Sequence, residues 1–233
     1  MRLPISDEGY IAAVVAHPDD ETFGLGALLA NLILDGREVR VLCFTHGEAS
    51  TIGAGAGLGE TRQRELFAAA SILGVAQVEL LDLPDGSLNS FPDSEIDSRI
   101  EHWLEPDVAA LVTFEPQGVT GHPDHQVVSR AVGRVADRRG LPVVEWGVDP
   151  GVAAQLAARH GLHFESIDDG VDVYDVGVDR AVQLIAIDVH ASQLDEERVV
   201  CKMLALEGNV ERVRVRRPSE AGEGPGRAPL PGG

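Results

Sequence analysis

Short β-branched, apolar runs alternate with longer stretches of helical period along most of this chain, and no other feature limits its fold so tightly. Residues 11–16 are an unbroken apolar run, the pattern of a strand buried on both faces. Residues 24–35 follow with helical spacing and close at Gly36. The alternation continues with strands at 38–44, 78–83, 108–114 and 142–146 and helices at 60–73, 95–104 and 125–139. Helix-length segments between buried strands predict an α/β fold: a three-layer, Rossmann-like, mainly parallel sheet of about five strands.

Beyond Asp149 the pattern loosens. Residues 150–160 read as helix, and residues 164–178, with Asp168-Asp169-Gly170 at their centre, as a hairpin or a pair of edge strands. Asp168 and Asp169 lack the alternating spacing of a calcium loop. Residues 180–206 are helical in composition, with a break near His190. These segments make a small C-terminal hairpin and helix region. From Gly208 onward Gly and Pro accumulate around Arg212, Arg214, Arg216 and Arg217, and a flexible tail over 208–233 is expected, residues 210–215 admitting a last edge strand. The expected organisation is one catalytic domain over 1–207 followed by that tail.

With 19 Lys and Arg against 38 Asp and Glu, the net charge is −19. So acidic a surface repels phosphate backbones and anionic lipid, which excludes nucleic acid and membrane surfaces as partners and favours a neutral or cationic small substrate. Residues 1–10 carry Asp7 and Glu8 and no apolar stretch, so no secretory signal is expected there. The longest nearly uninterrupted apolar stretch, 26–34, is too short for a bilayer. Cys43 and Cys201 read as small apolar residues of a reduced, cytoplasmic protein.

Ligands of open parallel sheets bind beyond the carboxyl ends of the strands, and two polar clusters fall there. His17-Pro18-Asp19-Asp20-Glu21 follows the first strand. Imidazole with carboxylate suits Zn²⁺ or Fe²⁺, although Asp19 or Asp20 could equally cap the next helix. Gly121-His122-Pro123-Asp124-His125 repeats the His-Pro-Asp theme after the strand at 108–114. Two such clusters at strand ends of one sheet point to a shared catalytic metal rather than to two independent caps.

Together these motifs resemble the LmbE/PIG-L family of zinc-dependent N-deacetylases, whose members act in mycothiol, bacillithiol and glycosylphosphatidylinositol biosynthesis and on glycopeptide antibiotics. Thr45-His46-Gly47-Glu48, Arg62-Gln63-Arg64-Glu65-Leu66, Leu83-Pro84-Asp85-Gly86 and His190-Ala191-Ser192-Gln193 extend the likeness over residues 10–195. The resemblance implies that His17, Asp20 and His125 bind the metal, that Asp19 is the general base, that His122 polarises the reacting carbonyl and that Asp124 orients His122. Residue chemistry alone does not choose Asp20 over Asp19 as ligand. Arg62 and Asp85 match positions that hold sugar hydroxyls in relatives; an ion pair with Glu65 and turn chemistry are the competing readings of the two. Some thiol-pathway relatives carry tyrosine where this chain has Thr120.

Glu48 and His190 are candidates to face the site, whereas His46, His102, His160 and His163 have no partner at ligand spacing. Glycines alternate from Gly53 to Gly59 after the second strand, which fits a mobile lid better than a dinucleotide fingerprint. The implied activity is removal of an N-acetyl group from an N-acetylglucosamine-type small molecule or glycoconjugate, with Zn²⁺ or Fe²⁺ as cofactor. An amidase for a larger acyl group, and a non-catalytic nucleotide-binding or regulatory module, are the alternatives. Family members are often trimers or hexamers, so homo-oligomerisation is open.

Overall fold

A computed structural model describes residues 3–53, 55–194 and 199–218. Among these residues seven strands form one sheet: β1 (Tyr10–Val15), β2 (Val39–Thr45), β3 (Gln77–Leu83), β4 (Val108–Phe114), β5 (Val143–Gly147), β6 (Val173–Gly177) and β7 (Val210–Arg216), in the order β3-β2-β1-β4-β5-β7-β6. The first five strands are parallel, and β7 pairs antiparallel with both β5 and β6. Among the described residues eight α-helices connect them: α1 (Asp20–Phe23), α2 (Gly26–Leu34), α3 (Leu58–Leu73), α4 (Asp93–Trp103), α5 (Pro123–Arg139), α6 (Pro150–His160), α7 (Ala181–Val189) and α8 (Val199–Glu207).

Every residue of β1 and of β4 is buried, because both faces of the central sheet are covered. Along β1 the side chains alternate between two cores. Ile11, Ala13 and Val15 join the cluster that holds Leu28, Leu29 and Met203, while Tyr10, Ala12 and Val14 join the one that holds Ile96, Ile100 and Val132. The α/β three-layer expectation therefore holds. The strand order reverses between β1 and β4, so the loops leaving these two neighbours open onto the crevice where such sheets bind ligands.

Two expectations change at the C-terminal end. Residues 164–178 supply one strand, β6, and a single bridge between Val148 and Ser166 instead of a hairpin. Residues 210–216 are neither tail nor edge: β7 lies inside the sheet, so the ordered fold runs past position 207. Val213 and Val215 are buried, and the arginines that alternate with them meet acids of other elements, Arg214 with Glu145 and Arg216 with Asp137. The remainder of the expected tail, 219–233, lies outside the described residues. As anticipated, the helical stretch breaks at His190, between α7 and a 3-10 turn at Ala191–Gln193.

Arg180 draws Glu207 and Glu211 into one buried cluster beneath β7. Burial and the adjacent Glu211 push Glu207 up to about 8, against the pull of Arg180. The folded chain thus keeps a proton that the unfolded chain releases, so this stabilisation is full below the unfolded glutamate range and disappears as pH rises through about 8. Glu207→Gln is expected to flatten the fall of Tm between about pH 4.5 and 8. Parallel slopes for the two proteins in thermal melts across that window would refute the assignment.

Candidate active site

His17, Asp19 and Asp20 lie in the turn from β1 into α1, and His122, Asp124 and His125 at the start of α5 beyond β4. The two turns meet although His17 and His125 are 108 positions apart. His17 Nδ1 stands 3.1 Å from His125 Nε2, His125 Nε2 stands 3.2 Å from Asp20 Oδ1, and His17 Nδ1 stands 3.7 Å from Asp20 Oδ2. His125 Nδ1 faces the Gly118 carbonyl at 3.1 Å. A carbonyl only accepts, so the neutral ring carries its proton on Nδ1 and aims the Nε2 lone pair at a carboxylate oxygen and a second imidazole.

Lone pairs converging in this way call for a cation. Tetrahedral zinc, with bonds of about 2.0–2.2 Å, sets its ligand atoms about 3.3–3.6 Å apart, and His125 Nε2 stands 3.1 Å from His17 Nδ1 and 3.2 Å from Asp20 Oδ1, close to that spacing. On its far edge, His17 Nε2 is 3.0 Å from Asp85 Oδ1 and 3.5 Å from Asp124 Oδ2, without hydrogen-bond alignment. Carboxylates behind a ligating imidazole orient it and raise its basicity. Burial works against a charged His17, but Asp124, Asp85, Asp20 and Asp19 outweigh it and raise its pKa to about 10. The surroundings favour positive charge, and the donor set fits a divalent metal.

Asp19 is held apart from that set. Its φ is +145°, a sparsely populated conformation for a residue with a side chain. Two contacts fix it: its N–H donates to Glu21 Oε2 at 3.0 Å, and its carboxylate meets Arg62 Nη2 at 3.0 Å. Burial pushes Asp19 up to about 6, against the pull of Arg62. Asp20 is lowered well below the usual carboxylate range, because His125 and His17 outweigh its burial.

His122 caps α5, its Nδ1 accepting the Asp124 N–H at 3.2 Å. That bond leaves Nε2 to carry the proton of the neutral ring. Burial and the nearby His17 and His125 lower the His122 pKa, which keeps the ring neutral near pH 7.

Asp124 was expected to orient His122, and its contact with that ring is made by the backbone N–H. Its carboxylate accepts from Gly86 N at 2.8 Å and Leu88 N at 3.0 Å and backs His17. Arg62 forms no pair with Glu65; it is 3% exposed and donates to Pro18 O and Gly47 O, each at 2.7 Å, beside its contact with Asp19. Asp85 turns onto His17 and accepts from Ala49 N at 2.9 Å. Both residues line the cleft, but each is engaged with the protein.

Removing Arg62 leaves two carbonyls and the Asp19 carboxylate buried without their cation. Arg62→Met is therefore expected to destabilise the fold by about 3–5 kcal/mol. Urea unfolding checks this, and a change under 1 kcal/mol would remove Arg62 from the network.

Glu21 has no role in the expectations above, yet this fully buried carboxylate joins the Asp19 backbone to His190 Nε2, 3.0 Å away on the turn after α7. Glu48 accepts from Asp85 N. His46 pairs with Asp82 at 2.7 Å, outside the site. In the glycine-rich stretch, whose Ala54 lies outside the described residues, Gly55, Gly57 and Gly59 border a separate shallow groove with His46 and Asp82 instead of covering the cleft. Residues 49–52 line the cleft, tied to Gln193 through Ser50 Oγ at 2.8 Å. The two free thiols are Cys43, buried, and Cys201, half-buried. No helix among the described residues is long and apolar enough to cross a membrane.

Residues 12–136 match the family model described as PIG-L, GlcNAc-PI de-N-acetylase. Over 166 residues the chain is 33% identical to a 1D-myo-inositol 2-acetamido-2-deoxy-alpha-D-glucopyranoside deacetylase of Corynebacterium diphtheriae, covering 59% of this chain and 56% of that protein. Over 135 residues it is 29% identical to an N-acetylglucosaminyl-phosphatidylinositol de-N-acetylase of Bos taurus, covering 55% and 51%. The chain thus spans just over half the length of these relatives. A triple mutant of a deacetylase from the teicoplanin biosynthetic pathway shares the fold, with a TM-score of 0.68 at 20% identity over 91% of this chain and all of that one.

Proposed function

The chain belongs to the PIG-L family, and on that premise we propose that it hydrolyses the N-acetyl amide of an N-acetylglucosamine-type small molecule or glycoconjugate. The observation that carries this reading is that His125 Nε2 meets both His17 Nδ1, at 3.1 Å, and Asp20 Oδ1, at 3.2 Å, while Asp19 is held by Arg62 outside that set.

His17, Asp20 and His125 would hold the cation. Two imidazoles and a carboxylate are a donor set suited to Zn²⁺ and acceptable to Fe²⁺. When bound, such a cation polarises an amide carbonyl and acidifies water.

The chain's own residues do the rest. Asp19 takes the proton of the attacking water, and its raised pKa brings it nearer to the strength of a base working at neutral pH. Arg62 and Glu21 hold it in place. His122, neutral with its proton on Nε2, donates to the carbonyl oxygen as negative charge develops there. Asp19 then returns its proton to the departing amine. Asp124 and Asp85 keep the His17 ring in register. A non-catalytic module would have no need of a base in a strained conformation beside a closed donor set. The free thiols and acidic surface fit a reducing compartment and a small-molecule partner.

The test is release of primary amine from a panel of N-acetylglucosamine and its conjugates by protein loaded with Zn²⁺. At least one member is expected to be cleaved. A panel that stays intact with one metal bound per chain would overturn the proposal.

A further inference from the structure

The cleft of about 590 Å³ beside the donor set has two unlike arms. One is polar, with Ser50, Thr51, Arg62, Asp85 and Gln193 on the side of β2, β3 and α3. The other runs past His125 along Phe23, Phe114, Trp146, Phe164, Val200 and Met203. The Phe114 ring joins the arms, its centroid 5.0 Å from that of His125 and 5.4 Å from that of Trp146. Gly24 supplies the floor: a Cβ there would lie 2.5 Å from the Phe114 ring.

Apolar side chains at the carboxyl ends of strands are usually sealed by packing. Here Phe114, Trp146 and Met203 are buried, but the seal is incomplete at Phe23, Phe164 and Val200, which are only partly buried and border the cleft. An acetyl methyl covers little of such a wall, and sugar hydroxyls gain nothing from it. Left facing water beside a site that must exclude it, the arm is unfavourable; filled by hydrocarbon, it contributes binding energy in proportion to the area covered. Met203, flexible and polarisable, adapts to chains of different length.

We propose that the substrate carries a hydrocarbon group next to the reacting amide and that this group occupies the arm formed by Phe114, Trp146, Phe164, Val200 and Met203. This rests on the amide-hydrolase reading above and names the class of conjugate that the site selects. Two positions on an N-acylated aminosugar can bear such a group, the acyl chain itself or an apolar aglycone.

Two substrate series test it on zinc-loaded protein. One lengthens the acyl group of N-acylglucosamine from acetyl to octanoyl; the other keeps the acetyl group and lengthens an alkyl glycoside from methyl to octyl. In one series kcat/KM is expected to rise about two- to fourfold per added methylene until the arm is full, and the series that rises identifies the point of attachment. Val200→Trp, which narrows the arm, is expected to bring the octyl-to-methyl or octanoyl-to-acetyl ratio back towards one, and Met203→Ala to move the optimum to a longer chain. Cleavage of acetylated substrates with both series flat or falling overturns the hydrocarbon group alone. No cleavage in either series, with metal bound, overturns the hydrolase reading beneath it.

Discussion

Asparagine at position 19 is expected to lower kcat by about 10²–10⁴-fold while one cation per chain stays bound. Asp19 stands outside the converging donors, its carboxylate held by Arg62 and its N–H by Glu21. The amide of asparagine keeps the shape and accepts from Arg62 but takes no proton from water. KM should move little, because the missing interaction belongs to the transition state. Turnover and metal content by plasma mass spectrometry, measured on one sample, decide the matter. Simultaneous loss of metal would make Asp19 a ligand and leave the base unassigned.

How far the chain could be read depended on where each residue finds its partners. β1 and β4 were legible because burial on both faces writes an unbroken apolar run into the local sequence. β7 was not. Its valines alternate with arginines whose partners, Glu145 on β5 and Asp137 on α5, lie far back in the chain, so its composition resembled a solvated tail. The site divides in the same way. Repetition of His-Pro-Asp at two strand ends pointed to the proposed metal site, but the choice of Asp20 over Asp19 came from the family resemblance. Coordinates now give that choice a geometric reason, since Asp20 Oδ1 faces His125 and Asp19 faces Arg62. The carboxylate of Asp124 could not be placed from sequence, because its partners Gly86 and Leu88 come together only in the folded chain. Glu21 was visible in the motif, yet its partner His190 follows 169 positions later. Phe114 and Trp146 read simply as the ends of buried strands.

Alanine at His17 or His125, or asparagine at Asp20, is expected to abolish both metal retention and turnover, and chelation of the wild-type protein should reach the same endpoint, reversed by Zn²⁺ or Fe²⁺. Rival donor sets exist, because His17, His122 and His125, and likewise His17, Asp85 and Asp124, also lie close enough to share an ion. The hydrogen bonds favour the set with Asp20, since the Asp124 carboxylate is taken up by Gly86 N and Leu88 N. His122 Nδ1 is occupied by the Asp124 N–H, which leaves the proton of the neutral ring on Nε2. Asp20, by contrast, is within 3.2 Å of His125 Nε2 and is tied by its second oxygen to the N–H groups of Ala16 and His17. His122→Ala is therefore expected to keep its metal and lose about 10²–10³-fold in kcat through the missing donor to the carbonyl oxygen. Asp85→Asn, behind His17, should weaken metal binding by about 10–100-fold without removing it. Metal affinity by competition with a chromogenic chelator ranks the variants. Retention of metal by Asp20→Asn together with its loss from His122→Ala would replace the aspartate by a third histidine and withdraw His122 from the reaction.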